Sequence, residues 1–106
     1  MTDLAIVIVS YNARADLEAC LASLANHPPT TPHQIVVVDN ASSDGSPAAV
    51  RTSWPHVTVI DAGGNLGFAR ATNLGIRATQ SDLLLFLNSD TLVPPGAIDH
   101  LIEILR

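Results

Sequence analysis

Four short apolar runs divide this chain, and three of them close on a polar cluster. Leu4-Ala5-Ile6-Val7-Ile8-Val9 runs into Ser10-Tyr11-Asn12, and Gln34–Val38 runs into Asp39-Asn40. Leu83-Leu84-Leu85-Phe86-Leu87 ends on Asn88-Ser89-Asp90, while Val57-Thr58-Val59-Ile60 is shorter. Runs of this length, rich in β-branched residues, predict buried strands. The third, being short, is expected near a sheet edge. The fourth is apolar at every position, which predicts a strand covered on both faces in the middle of a parallel sheet.

Helical spacing fills the gaps. Leu17, Cys20, Leu21 and Leu24 predict a helix over about 15–26, stopped by Pro28-Pro29. Ser42-Ser43-Asp44-Gly45-Ser46-Pro47 supplies capping residues and a proline for a helix start, so a short helix is expected to run to about Ser53. Trp54 is expected to close it against the sheet. Gly63-Gly64-Asn65-Leu66-Gly67 is a tight loop opening a third helix over about 68–79, with small packing positions at Ala69, Ala71 and Ala78. Pro94-Pro95-Gly96 opens a fourth, with Ile98, Leu101, Ile102 and Leu105 on one face.

The alternation is β-α four times over. It predicts an α/β fold: an open parallel sheet of four βα units with right-handed crossovers. Sheet order 3-2-1-4 is the simplest arrangement that brings the three polar strand ends to one rim, with a topological switch between strands one and four. The helical pattern reaches Arg106 without a capping glycine, so the 106 residues are expected to be the first part of a larger domain, cut short.

Composition narrows the function. Hydrophobic residues make up 47% and charged residues 14%. That is apolar for so small a domain, and implies surface hidden in a homo-oligomer or a covering supplied by further chain. Net charge is −5, with five scattered arginines and no lysine. A nucleic-acid footprint is therefore not expected, and a P-loop is excluded, because it needs its lysine. A phosphoacceptor receiver domain is disfavoured for the same reason. Cys20 stands alone and suits a reducing compartment. Met1-Thr2-Asp3 carries an acid where a signal peptide wants basic residues, and Leu4–Val9 is too short to span a membrane.

The candidate chemistry lies at the strand ends. Asp90, beside Asn88 and Ser89, offers oxygen donors to a hard cation such as Mg²⁺ or Mn²⁺. Asp39 alone reads as a turn or capping residue, and so does Asp90. Both together, each after an uninterrupted apolar strand, point to a site. Asp44 reads as a cap. The glycine loop follows the third strand, whereas a dinucleotide fingerprint follows the first, and the turn after strand one has no glycine, so a Rossmann oxidoreductase is disfavoured. Arg70 falls in the first turn of its helix, where a cation opposes the helix dipole; an anionic ligand explains it better than stability does. Arg14, Arg51, Arg77 and Arg106 are expected on solvated helix faces. His27, His33, His56 and His100 are expected away from the rim, and Cys20 in inert core.

At these residues the chain resembles the family 2 (GT-A type) inverting glycosyltransferases, most of all the rhamnosyltransferase-like branch. The resemblance rests on Val9-Ser10-Tyr11-Asn12, on Val38-Asp39-Asn40-Ala41-Ser42-Ser43-Asp44-Gly45-Ser46, on Asn65-Leu66-Gly67-Phe68-Ala69-Arg70-Ala71-Thr72-Asn73-Leu74-Gly75, and on Leu87-Asn88-Ser89-Asp90. It implies a site for a nucleoside-diphosphate-sugar donor. Positions matching Ser10 and Tyr11 line the nucleoside pocket, Asp39 hydrogen-bonds the base, and Arg70 lies against the nucleotide. Asn88-Ser89-Asp90 takes the place of the Asp-X-Asp motif, whose last acid binds the divalent metal and the diphosphate; Asn at the first position leaves one fewer anionic ligand. The catalytic base is expected beyond Arg106, so residues 1–106 are expected to be the donor-binding part, with little transferase activity alone. The acceptor would be a glycan or lipid-linked sugar of cell-envelope polysaccharide, met in the cytoplasm or at the cytoplasmic face of the membrane. The competing expectations are a non-catalytic nucleotide-binding or assembly module with the same fold, and a structural piece that dimerises through an open sheet edge.

Overall fold

The computed structural model describes residues 3–105. Four strands, β1 (Leu4–Ser10), β2 (His33–Asp39), β3 (Thr58–Asp61) and β4 (Leu83–Asn88), alternate with four helices, α1 (Arg14–Asn26), α2 (Ser46–Ser53), α3 (Phe68–Arg77) and α4 (Ala97–Leu105). The sheet is wholly parallel in the order β3-β2-β1-β4. Arg106 and the residues Met1-Thr2 lie outside the described residues.

The order decides which face each helix covers. The chain moves from β1 to β2 to β3 in one direction and then jumps back past β1 to β4. Right-handed crossovers therefore lay α1 and α2 on one face and α3 on the other. The cores show it. Ile6, Ile8, Ile35 and Val37 pack with Leu17, Cys20, Leu21, Leu24, Val50, Ile98 and Ile102 from α1, α2 and α4. Val7, Val36 and Val38 point the opposite way, towards Ala71 and Leu74 of α3. Trp54 packs on the first core, at the carboxyl end of α2, as expected.

Helix α3 sits close because its buried face is small. A Cβ on Gly75 would lie 2.5 Å from Val7 Cγ1 and 3.2 Å from Val38 Cγ2, so any larger residue displaces the helix from the sheet.

One expectation fails. The fourth strand is not covered on both faces. Among the described residues β4 is an outer strand, and its burial alternates: Leu83, Leu85 and Leu87 face the core, while Leu84 (41% exposed) and Phe86 (44%) face out. The reason is α3, which packs over β1 and β2 and leaves that side of β4 bare. An all-apolar run reports the absence of polar residues; it does not report which neighbours arrive. The short third strand is the opposite edge, as expected. The last helix begins at Ala97 instead of at the prolines, after Gly96 takes a positive φ of 73°.

Candidate functional site

The carboxyl ends of the strands meet at one rim. Ser10 is the register partner of Asp39, and Asp39 of Asp61, so three polar residues end three adjacent strands in one row. Register partners in a sheet leave the same face, about 4.8 Å apart. Their parity puts them on the side of α1 and α2. Ser10 is 1% exposed and Asp39 3%. Asp39 Oδ2 accepts the Ser42 N–H at 3.0 Å, but Asp39 Oδ1 and Ser10 Oγ have no partner. A buried polar atom without a partner costs about 1–3 kcal/mol. The two atoms end adjacent strands, with Ser10 on the strand that borders the topological switch, and this makes them candidates for contact with a ligand.

The loops around the rim are cross-tied. After β1, Asn12 donates its backbone N–H to Ser42 Oγ (2.9 Å) and accepts the Ser43 N–H on Oδ1 (2.7 Å). Asn40, buried at the end of β2, donates to Asn65 Oδ1 (3.0 Å) and accepts the Leu66 N–H (2.7 Å), fastening the glycine loop to the strand. Among the described residues, the two non-glycine positions with positive φ are Asn12 (48°) and Ala41 (67°), one in each loop beyond β1 and β2. Backbone strain of this kind concentrates where a loop is held in shape for function.

The other expected site residues occupy the same rim in different layers. Tyr11 is 51% exposed at the tip of the first loop, its ring free to stack. Arg70 is exposed in the first turn of α3, across the sheet from Asp39, and lines a groove with Leu66, Asn73, Leu74 and Arg77. It makes no ion pair among the described residues, where Arg14–Glu18 is the one pair. Asn88 follows Val9 in register and so points to the α3 side, whereas the charge of Asp90 is felt by Cys20 on α1. The thiol of Cys20 is pushed up to about 11, by burial first and by Asp90 second. Cys20 is inert core, as expected. The four histidines lie outside the row of strand ends; His33 opens β2 at its far end and contacts the Thr31 carbonyl.

The carboxylate of Asp90 is exposed, which suits a hard cation, whereas Asn88 leaves the sheet on the α3 side. No group of three or more His, Cys, Asp or Glu gathers among the described residues. A cation at Asp90 would need most of its ligands from a diphosphate and water, which is how Mg²⁺ is commonly held.

A family model described as glycosyl transferase family 2 matches residues 5–106. The chain belongs to this family. It is 35% identical, over 97% of its own length, to the N-acetylglucosaminyl-diphospho-decaprenol L-rhamnosyltransferase of Mycobacterium tuberculosis, of which it covers 37%. It is 34% identical over 95% of its length to the succinoglycan biosynthesis protein ExoO of Rhizobium meliloti, of which it covers 29%. The chain thus spans about a third of the length of these relatives. Among solved structures, the TarS protein of S. aureus superposes with a TM-score of 0.85 at 21% identity, over 97% of this chain and 32% of that one. The mannosyltransferase PcManGT of Pyrobaculum calidifontis, solved with GDP-Man and Mn²⁺, superposes with a TM-score of 0.77 at 26% identity, over 89% of this chain and 31% of that one. The expected α/β architecture, sheet order and GT-A type fold therefore hold for this family 2 member.

Sequence reading overlooked Asp61, although it closes the third strand as Asp39 closes the second. It also undervalued Asn40 and Asn65. Their signal is side-chain pairing between two loops, which has no fixed spacing along the chain.

Proposed function

We propose that this chain forms the part of a glycosyltransferase that binds a nucleoside-diphosphate sugar, the protein then transferring that sugar to a glycan or lipid-linked acceptor with inversion. The observation that carries the reading is the pair of unpartnered buried atoms, Ser10 Oγ and Asp39 Oδ1, at adjacent strand ends beside the switch between β1 and β4. Asp39, fixed through its other oxygen by Ser42, presents a hydrogen-bond acceptor to an N–H of the base. Ser10 contacts the nucleoside, and Tyr11 lies against it. Arg70 draws the anionic part of the ligand through charge that no acidic side chain already occupies.

Asp90, with Asn88 and Ser89 beside it, would hold a divalent cation at the diphosphate. When bound, the cation supplies Lewis-acid neutralisation of the charge that builds on the departing phosphate. Inversion also needs a carboxylate to take the acceptor hydroxyl's proton. We assign that base to the two thirds of the relatives' length that this chain does not span. The setting we propose is the cytoplasm or the cytoplasmic membrane face; no helix among the described residues is long and apolar enough to cross a membrane.

Titration calorimetry with nucleoside diphosphates, with and without Mn²⁺, tests the reading. Metal-dependent binding that Asp90→Ala abolishes supports it. Absence of binding in both conditions favours a non-catalytic assembly module built on the same fold.

A further inference from the structure

Asp61 has no place in the site as described so far, yet it ends the same row. It is the register partner of Asp39, whose side chain is 3% exposed with Oδ1 unpartnered, and Asp39 is in turn the partner of Ser10, 1% exposed with Oγ unpartnered. Asp61 Oδ1 accepts the Gly63 N–H at 2.9 Å. Its second oxygen has no protein partner among the described residues, and the side chain is open to solvent at the rim.

Carboxylates facing each other on neighbouring strands repel unless something donates between them. Ionised, they accept hydrogen bonds and donate none. The described chain brings no cation: its one ion pair, Arg14–Glu18, involves neither. A resident metal is not favoured, because no third acidic, His or Cys group joins the two. A ligand edge with adjacent N–H donors would meet the free oxygens of Asp39 and Asp61 together.

We infer that Asp61 is a base-selecting residue, favouring a guanine-type edge over that of uracil or thymine; this rests on the donor-site reading above. Guanine offers N1–H and the exocyclic N2–H₂ side by side, one donor for each carboxylate. Uracil and thymine offer a single N3–H flanked by two carbonyl oxygens. With N3–H on Asp39, one of those oxygens faces the Asp61 carboxylate, acceptor against acceptor. Sites built around hydrogen bonds discriminate through such unpaired polar groups.

Calorimetric titration of the protein with GDP, UDP and dTDP in the presence of Mn²⁺ provides the test, on the wild type, Asp61→Asn and Asp61→Ala. The asparagine variant keeps an acceptor for the Gly63 N–H, so the turn survives, and a matched thermal midpoint checks this. GDP is expected to bind tighter than UDP or dTDP by about tenfold or more, the worth of one hydrogen bond to a charged group. Asp61→Asn is expected to shrink that ratio by about the same factor. UDP or dTDP binding as tightly as GDP overturns the inference and leaves the donor site standing. So does a substitution that weakens all three ligands equally. If none of the three binds, the donor-site reading falls and takes this inference with it.

Discussion

The carboxylate of Asp44 accepts the backbone N–H of Arg14 at 3.0 Å, capping a helix that begins 30 residues earlier in the chain. Its other oxygen accepts the Ser46 N–H at 3.0 Å and the Ser46 hydroxyl, at the start of α2. One side chain thus serves the amino ends of two helices, and Arg14 answers with a bond from Nη1 to the Asp44 carbonyl at 3.3 Å. The sequence marks Asp44 as a cap; only the fold makes it a cap for α1.

Asp44 should therefore couple stability to acid. Its carboxyl is held below the usual range, chiefly by the Ser46 hydroxyl. A group whose folded pKa is depressed stabilises above its unfolded value, about 3.9, and loses that contribution as pH falls through the folded value. Asp44→Ala is expected to cost about 1–2 kcal/mol at pH 7, the range for a lost cap. The gap to wild type should close towards pH 2. Urea unfolding at the two pH values measures it; an unchanged gap would refute the coupling.

Asn40 should control the glycine loop. Asn40→Ala removes the bonds to Asn65 and to the Leu66 N–H while leaving β2 intact. The expected cost is about 1–3 kcal/mol, because Asn65 and Leu66 lose partners in a part-buried place. Hydrogen exchange at the Leu66 amide should rise well beyond any rise in the β1 amides. Equal acceleration everywhere would mean that Asn40 supports the whole fold and not the loop.

Gly75→Ala sets two effects against each other. Alanine is the better helix former by about 1 kcal/mol. Its Cβ, however, would sit 2.5 Å from Val7 Cγ1 and 3.2 Å from Val38 Cγ2, so side chains of two central strands or the helix itself must shift. Overpacking costs typically about 1–3 kcal/mol, so the substitution is expected to destabilise on balance, and Gly75→Val more so. Thermal unfolding decides the sign; a stabilised alanine variant would show that α3 can lift from the sheet freely.

Cys20 should be silent in the native state. With its pKa at about 11, almost no thiolate exists at pH 8. A thiol-specific reagent is expected to label it only at the rate of unfolding, with fast labelling in denaturant. Rapid labelling of the folded protein would place the thiol nearer to solvent than the core of α1 allows.

The sequence by itself determined the eight elements and their alternation, because hydrophobic periodicity, capping residues and the proline and glycine breaks are all local consequences of backbone geometry. It also marked Ser10 and Asp39 as strand ends and Asp90 just past a third, since a polar residue halting an apolar run is visible without a fold. Three matters were decided only in three dimensions. β4 became an outer strand with Leu84 and Phe86 bare, because exposure depends on where α3 lands and not on the strand's own residues. Asp61 joined Asp39 because register, set by the β2–β3 pairing, made them neighbours 22 positions apart in the numbering. Ser10 Oγ and Asp39 Oδ1 proved unpartnered because partnership is a property of the packed rim, where no group of the described chain comes within hydrogen-bond reach of either.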